Sequence, residues 1–507
     1  MAPPVVIHDT TIVTGNDAGT ILYDAALAVE GRRIVTLGPS AGVLARYPGA
    51  SRVDGRGRAV LPGFANAHTH LPRVLARGIY EDLSPSHTPP FTGGLAPLPL
   101  PRLSGDEERV MALLGALEAI RSGTTLVLEE GAGLADYAVG LLDSGLRLLL
   151  CERAWDRAGA AIGQGGAFEI DAARAETSLA RIADLHKRWN GQGDGRVRVG
   201  LAAWAPELCS PDLLGRLRRL QGELDVIASV HLNQIWGEVA AVREQRGMLP
   251  TEYLHDVGFL SHRLVAAHCR CMTADEERIL GAAGVAVAVN PAIAARRGLA
   301  ARVHELEQAG CLIALGTDNM AEDMVEVMRT ALFMERVRRQ DGRQPTPEQA
   351  LGWATRNGYR ALGIIDGGWL AEGNLADLIM IDLRKPHLTP ALRVVSDFVH
   401  QGQASDVEAV MVDGRFIMRD RTLADARRAG DRRRGRSDRA HGMGTAVQGA
   451  PRSAASGRLR PPSRLKSPRP LSRIRAGGAD NPRPSVPALA GRSRSVEAPW
   501  SPPPPPN

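Results

Sequence analysis

Over residues 4–57, apolar and polar positions alternate in short runs, at 5–7, 11–13, 25–29 and 34–37, parted by Gly and Asp turns. Period-two patterning of that length predicts a small antiparallel sheet. From residue 59 the texture changes. Continuous apolar runs at 61–70, 124–128, 146–151, 197–203, 225–232, 264–269, 285–290 and 312–318 read as eight strands. Helical spacing fills the stretches around them, notably 171–189, 322–338 and 347–362. One helix carries its own start signal. Ser104 and Glu107 are spaced as a capping box, and Val110, Met111, Leu114, Leu117 and Ile120 follow at helical spacing. Strands buried on both faces read as unbroken apolar runs, so eight strand–helix units predict an α/β fold, a (β/α)8 TIM barrel.

The β pattern returns at 375–382 and in the hairpin VEAVMVDGRFIMRD, which turns at Asp413-Gly414. It is expected to join the N-terminal strands in a small composite β-sandwich domain formed from both ends of the chain. The expected boundaries are 1–58 with 366–420 for that domain and 59–365 for the barrel. After Asp420 the pattern collapses into Arg, Pro, Ser, Gly and Ala, with 14 of the 34 prolines. Such a segment cannot bury enough apolar surface to fold, so 421–507 is read as a disordered tail.

The tail changes what composition means. Behind the net charge of +6, residues 421–507 hold 18 Arg and one Lys against five acidic residues, which leaves 43 basic and 51 acidic residues in 1–420. The body is mildly acidic and the tail lacks interleaved aromatics, so nucleic-acid binding is not expected. No apolar run reaches the roughly 20 residues of a membrane span, and no secretory signal is evident. The cysteines (Cys151, Cys209, Cys269, Cys271, Cys311) are scattered and odd in number. Buried reduced thiols in a cytoplasmic protein explain them best.

The candidate chemistry lies at strand ends. LPGFANAHTH finishes in His68 and His70, which on a strand point the same way and offer a chelating imidazole pair. Further ends add His231 (SVHLNQ), His268 (VAAHCRC), Asp318 (LGTDNM) and either Glu129 or Glu130. A barrel presents its chemistry at those carboxyl ends, so these residues converge on a cation site with positions left open to water. Residues 72–103 read as a Pro/Gly-rich lid in which His87 is at most a substrate contact. Trp155 and Trp204 either stack on a planar heterocycle or pack in the core. Arg296, Arg297 and Arg302 read as an exposed helix start or an anionic-substrate clamp, the exposed face being favoured.

PGFANAHTH, HLNQ, AHC and LGTD, in that order, with APELCSP and the closing GWLAEGNLADLIMID, resemble the amidohydrolase superfamily over about residues 5–420. The nearest branch is that of cytosine and guanine deaminases and triazine chlorohydrolases. The resemblance implies that His68, His70, His231 and Asp318 bind one divalent cation, zinc first and iron as the alternative. A cation so held lowers the pKa of its water to about 7. Asp318 would take the proton, and His268 would face the water or substrate and stabilise the tetrahedral intermediate. The implied activity is hydrolysis of a carbon–nitrogen bond, or a carbon–halogen bond, in a small N-heterocycle or amide, by a homo-oligomer. Binuclear members bridge their metals with a barrel lysine. The lysines here are Lys187, Lys385 and Lys466, none at a barrel strand end, so a single metal is expected.

Two departures matter. Related deaminases carry Glu where this chain has Gln234, and an amide binds substrate but cannot shuttle a proton. A lost acid–base group typically costs about 10²–10⁴-fold in rate. After the seventh strand, only Asn290 and Pro291 remain of the family's Asn-Pro-x-Ser-Asn. Three readings stay open: hydrolysis through Asp318 and His268 with Gln234 on the substrate; proton transfer by Glu238, Glu129 or Glu130; or a metal- and ligand-binding pseudoenzyme. Glu238, one turn into the following helix, ranks below the first, and retained hydrolysis is favoured over the third because every implied metal ligand is present.

Overall fold

The structure, a computed structural model, describes residues 3–78, 103–159, 162–163 and 165–424. His87, most of the expected lid and nearly all of the expected tail lie outside the described residues.

The chain opens with β1 (Val5–Val13), β2 (Ile21–Glu30), β3 (Arg33–Pro39), β4 (Ser51–Asp54) and β5 (Arg58–Pro62). The next strands are β6 (Phe64–Thr69), β7 (Thr124–Gly131), β8 (Arg147–Ala154) and β9 (Val197–Ala203). Then come β10 (Ala228–Leu232), β11 (Leu264–His268), β12 (Ala286–Val289) and β13 (Leu312–Leu315). Last are β14 (Leu378–Asp382), β15 (Val407–Val412), β16 (Arg415–Arg419) and β17 (Thr422–Leu423). Thr422 and Leu423 had been grouped with the tail by composition, and instead pair with Arg419 and Met418.

β6 to β13 are parallel neighbours in chain order, an eight-stranded barrel sheet. Its seam closes through a bridge between Thr69 and Asp318: Asp318 N–H donates to the His68 carbonyl (3.0 Å), and His70 N–H donates to the Asp318 carbonyl (2.8 Å). Alternation sorts each strand. Leu148 and Leu150 face the helices, whereas Leu149 and Cys151 fill the barrel with Ala65, Ala67, Ala202, Ala286, Ala288 and Ala314. Small inward residues suit the narrow interior of eight tilted strands.

The remaining strands form a second sheet of nine. β14 pairs antiparallel with β5, with Ile379 opposite Leu61, so the two chain ends share one continuous mixed sheet. The chain crosses between sheets at Gly63, where a Cβ would lie 2.2 Å from the Thr125 side chain. Buried Arg147 joins the two sheets by donating to Asp377 at 2.7 Å and Asp413 at 2.9 Å.

Among the helices, Ser104 and Glu107 form the expected capping box on Gly105–Ser122. Asp171 caps Ala172–Trp189. The stretch expected as one helix at 347–362 is two, Pro347–Ala354 and Arg356–Ala361. Thr355 parts them, its hydroxyl donating to the Leu351 carbonyl at 2.6 Å, a local bond that competes with the helical ladder.

Candidate metal and catalytic site

β6 ends at Thr69 and delivers His68 and His70 at the mouth of the barrel, their rings 4.8 Å apart. β10 brings His231, whose ring lies 4.8 Å from His68, with its Nε2 3.2 Å from His70 Nε2. The ligating nitrogens of these three histidines all lie within 4.8 Å of one another. Asp318 follows β13, with Oδ1 3.7 Å from His70 Nε2. His268 ends β11, its ring 5.3 Å from those of His68 and His231. The five residues singled out on four separate strand ends therefore share one cluster, in which all but the partly exposed His70 are buried.

Two of these imidazoles, His70 and His231, are aimed from behind. His70 Nδ1 donates to the Glu130 carbonyl (2.6 Å), and His231 Nδ1 donates to the Trp204 carbonyl (2.9 Å), leaving both Nε2 atoms toward the centre. A carboxylate beneath His231 reinforces its tautomer: Glu130 Oε1 lies 3.1 Å from His231 Nδ1. Glu130 is held in turn by Arg153 at 3.1 Å and the Ser229 hydroxyl at 2.7 Å. Burial pushes the Glu130 carboxyl up, yet His231 and Arg153 bring it well below the ordinary range. Asn290 Nδ2 donates to His268 Nδ1 at 3.0 Å, so in this amide orientation the His268 proton sits on Nε2.

Burial, aided by His231, pushes His68 down to about 3, and burial likewise holds His70 and His268 well below the usual imidazole value. Neutral imidazoles are what a cation requires. Among the described residues, both ring nitrogens of His68, Nε2 of His268 and Oδ2 of Asp318 are buried without a hydrogen-bond partner. Burying unpaired polar atoms is unfavourable, so this donor set fits a bound divalent cation with an adjacent polar ligand. His268 (φ 79°) and Asp318 (φ 68°) adopt the left-handed region, as do Asn233, Cys269 and Met320. Non-glycine residues there cost on the order of 1–3 kcal/mol each and gather where function fixes direction.

Of the competing proton carriers, two are committed elsewhere. Glu238 accepts from the backbone N–H of Asn233 and of Gln234, both at 2.7 Å, and so fixes the loop on which Gln234 stands. Glu129 accepts from Leu71 N–H and the Tyr137 hydroxyl, each at 2.8 Å. The side-chain amide of Gln234 makes no hydrogen bond among the described residues. Trp155 and Trp204 pack edge to face at 5.0 Å, and Arg153 lies over Trp204 at 5.0 Å. Arg296 pairs with Glu326 and Arg302 with Glu277, as outer charges do. Arg297 departs from the exposed face expected of it: it is buried.

Two buried carboxylates beside the site carry no signal in the sequence. Glu322 accepts from Asn66, Thr69 and Thr317 across the barrel seam, between the His68–His70 pair and Asp318. Glu207, within APELCSP, is buried with Oε2 unpartnered, and burial raises its carboxyl. No spacing rule marks either residue, because all their named partners but Thr317 are distant in sequence.

Residues 59–417 match the amidohydrolase family. The chain is 33% identical to the 5'-deoxyadenosine deaminase of Methanothermobacter thermautotrophicus, over 82% of this chain and 95% of that protein. It is 32% identical to the 5-methylthioadenosine/S-adenosylhomocysteine deaminase of Moorella thermoacetica, over 82% and 94%. Among solved structures it resembles an adenosine deaminase from Xanthomonas campestris with bound zinc, at TM-score 0.74 and 26% identity, over 85% of this chain and 97% of that one. The fold also resembles that of the zinc-complexed atrazine chlorohydrolase of Arthrobacter aurescens, at TM-score 0.72 and 22% identity, over 84% and 98%. The match spans the entire barrel and the relatives align almost end to end, so the chain belongs to the amidohydrolase family and is a metal-dependent hydrolase acting on carbon–nitrogen bonds.

Proposed function

We propose that the protein removes an amino group from a small N-heterocycle through a mononuclear centre, with His68, His70, His231 and Asp318 as the metal ligands and zinc as the metal. The observation that carries this reading is the set of buried, unpartnered atoms on His68, His268 and Asp318, facing one another around the three histidines. The cation supplies an acidified water as the nucleophile when bound.

The chain's own groups do the rest. Burial raises the proton affinity of Asp318, which receives the proton of the attacking water on Oδ2 and passes it to the departing amine. His268 donates from Nε2 to the oxygen that gains charge in the tetrahedral state, its other nitrogen being held by Asn290. Gln234 offers a donor and an acceptor to the ring and leaves proton transfer to Asp318. Glu238 and Glu129 take no part, because their oxygens are occupied by the fold. A cytoplasmic location fits five buried free thiols, and a homo-oligomer follows from the family resemblance. No described helix is long and apolar enough to cross a membrane. The pseudoenzyme alternative finds no support in an intact donor set and deaminase relatives.

The test is ammonia release by the zinc-loaded protein from a panel of aminated purines, their nucleosides, and aminated pyrimidines and triazines, with chloride release from chlorinated rings measured alongside. Ammonia release is expected. A panel silent for ammonia would overturn the reading, and chloride alone would move the reaction to carbon–halogen hydrolysis. Gln234→Glu is expected to raise deamination where protonation of the ring limits the rate.

A further inference from the structure

Beside the centre stands a cation that the reaction above does not use. Arg270 lies two residues past His268, on the loop leaving β11. It is only 7% exposed, and Nε, Nη1 and Nη2 are all buried without a hydrogen-bond partner among the described residues. The loop is firmly set: the N–H groups of Arg270 and Cys271 both donate to the Asn233 carbonyl, at 3.0 and 2.9 Å, next to Gln234. The charge of Arg270 reaches the site, lowering the proton affinity of His68 and His268 and partly offsetting the burial of Asp318.

A guanidinium keeps its charge at any physiological pH and presents a planar fork of donors that matches a carboxylate. Leaving one buried and unpaired is unfavourable, so its partner arrives with a ligand. The neighbouring position agrees. Where a carboxylate was expected, this chain has the neutral Gln234, so the surroundings of Arg270 lack one negative charge.

We propose that Arg270 is a specificity-determining residue that binds a carboxylate carried on or beside the reacting ring, which makes the substrate an amino-substituted heterocyclic acid. The proposal rests on the hydrolase reading and narrows its substrate class.

The test separates binding from turnover. Calorimetry on the zinc-loaded full chain compares pyrimidine-4-carboxylate with its carboxamide, which matches it in shape but not in charge. The carboxylate is expected to bind at least about tenfold more tightly. Arg270→Met and Arg270→Gln are each expected to reduce that preference to less than about threefold, with zinc content and Tm retained. Equal affinities in the wild type, or no binding of either probe, would overturn the proposal. So would a preference that survives in a folded Met or Gln variant, since the metal itself would then be capturing the carboxylate. Ammonia release from the corresponding aminopyrimidine carboxylate is followed in parallel. A carboxylate preference that depends on Arg270 without ammonia release upholds the role of Arg270 and removes the hydrolase reading. Ammonia release with no such preference does the reverse.

Discussion

His68 and His268 look alike in burial and charge, yet their surroundings assign them different work. No described residue occupies either nitrogen of His68, whereas Asn290 holds one nitrogen of His268 and leaves the other toward the centre. His68→Ala is therefore expected to lower bound metal and turnover together. His268→Ala is expected to keep the metal while kcat falls by about 10²–10³-fold, the usual loss of one donor to a developing oxyanion. Metal analysis beside single-substrate kinetics reads both, and equal metal content in the two variants would refute the division. Glu129 and Glu130 are adjacent and equally buried, but Glu130 lies against His231 and Glu129 faces Leu71 and Tyr137. The alternation of a strand explains the split: neighbouring side chains leave on opposite faces.

At the scale of elements, the barrel seam and the first loop carry the site. Glu322→Ala would strand the donors of Asn66, Thr69 and Thr317, which accounts for an expected loss of roughly 2–4 kcal/mol in stability. Metal affinity is expected to fall about 10–100-fold, because those residues flank His68, His70 and Asp318. Thermal denaturation and metal titration check the two effects, and a variant that loses neither would show the seam to be held without Glu322. Glu129 adds a pH dependence. Burial pushes its carboxyl up to about 8, against an unfolded value near 4.3. Between those values the folded state binds more protons, so the contribution of Glu129 is complete below about pH 4.3 and declines as pH rises to about 8. Glu129→Gln still accepts from Leu71 N–H and can donate to Tyr137. Its Tm is expected to fall less than that of the wild type between about pH 5 and 8, and parallel curves would reject the assignment.

On the scale of the whole molecule, the barrel and the nine-stranded sheet are joined through Arg147, Asp377 and Asp413, with the Tyr359 hydroxyl donating to Asp377 at 2.8 Å. Arg147→Met leaves buried Asp377 without its cation, while Asp413 keeps Arg32 at 2.8 Å, so a loss of about 3–5 kcal/mol is expected. Both sheets should unfold in one transition at lower temperature, because the same residues bind them together. Two separated transitions in calorimetry would show that the barrel and the sheet are energetically independent.

Local pattern carried much of this in the sequence. Continuous apolar runs named the eight barrel strands, the capping box at Ser104 marked a helix start, and residues at strand ends named His68, His70, His231, His268 and Asp318. These are properties of neighbours along the chain, and period and spacing report neighbours. What the tertiary structure alone decided was each partner across the chain: Glu130 rather than Glu129 beneath the imidazoles, Asn290 on His268, Glu322 at the seam, and Arg297 buried instead of exposed. The guanidinium of Arg270, without a hydrogen-bond partner among the described residues, is the clearest case. Its identity is one letter in the sequence, but its lack of a partner is a property of every residue packed around it.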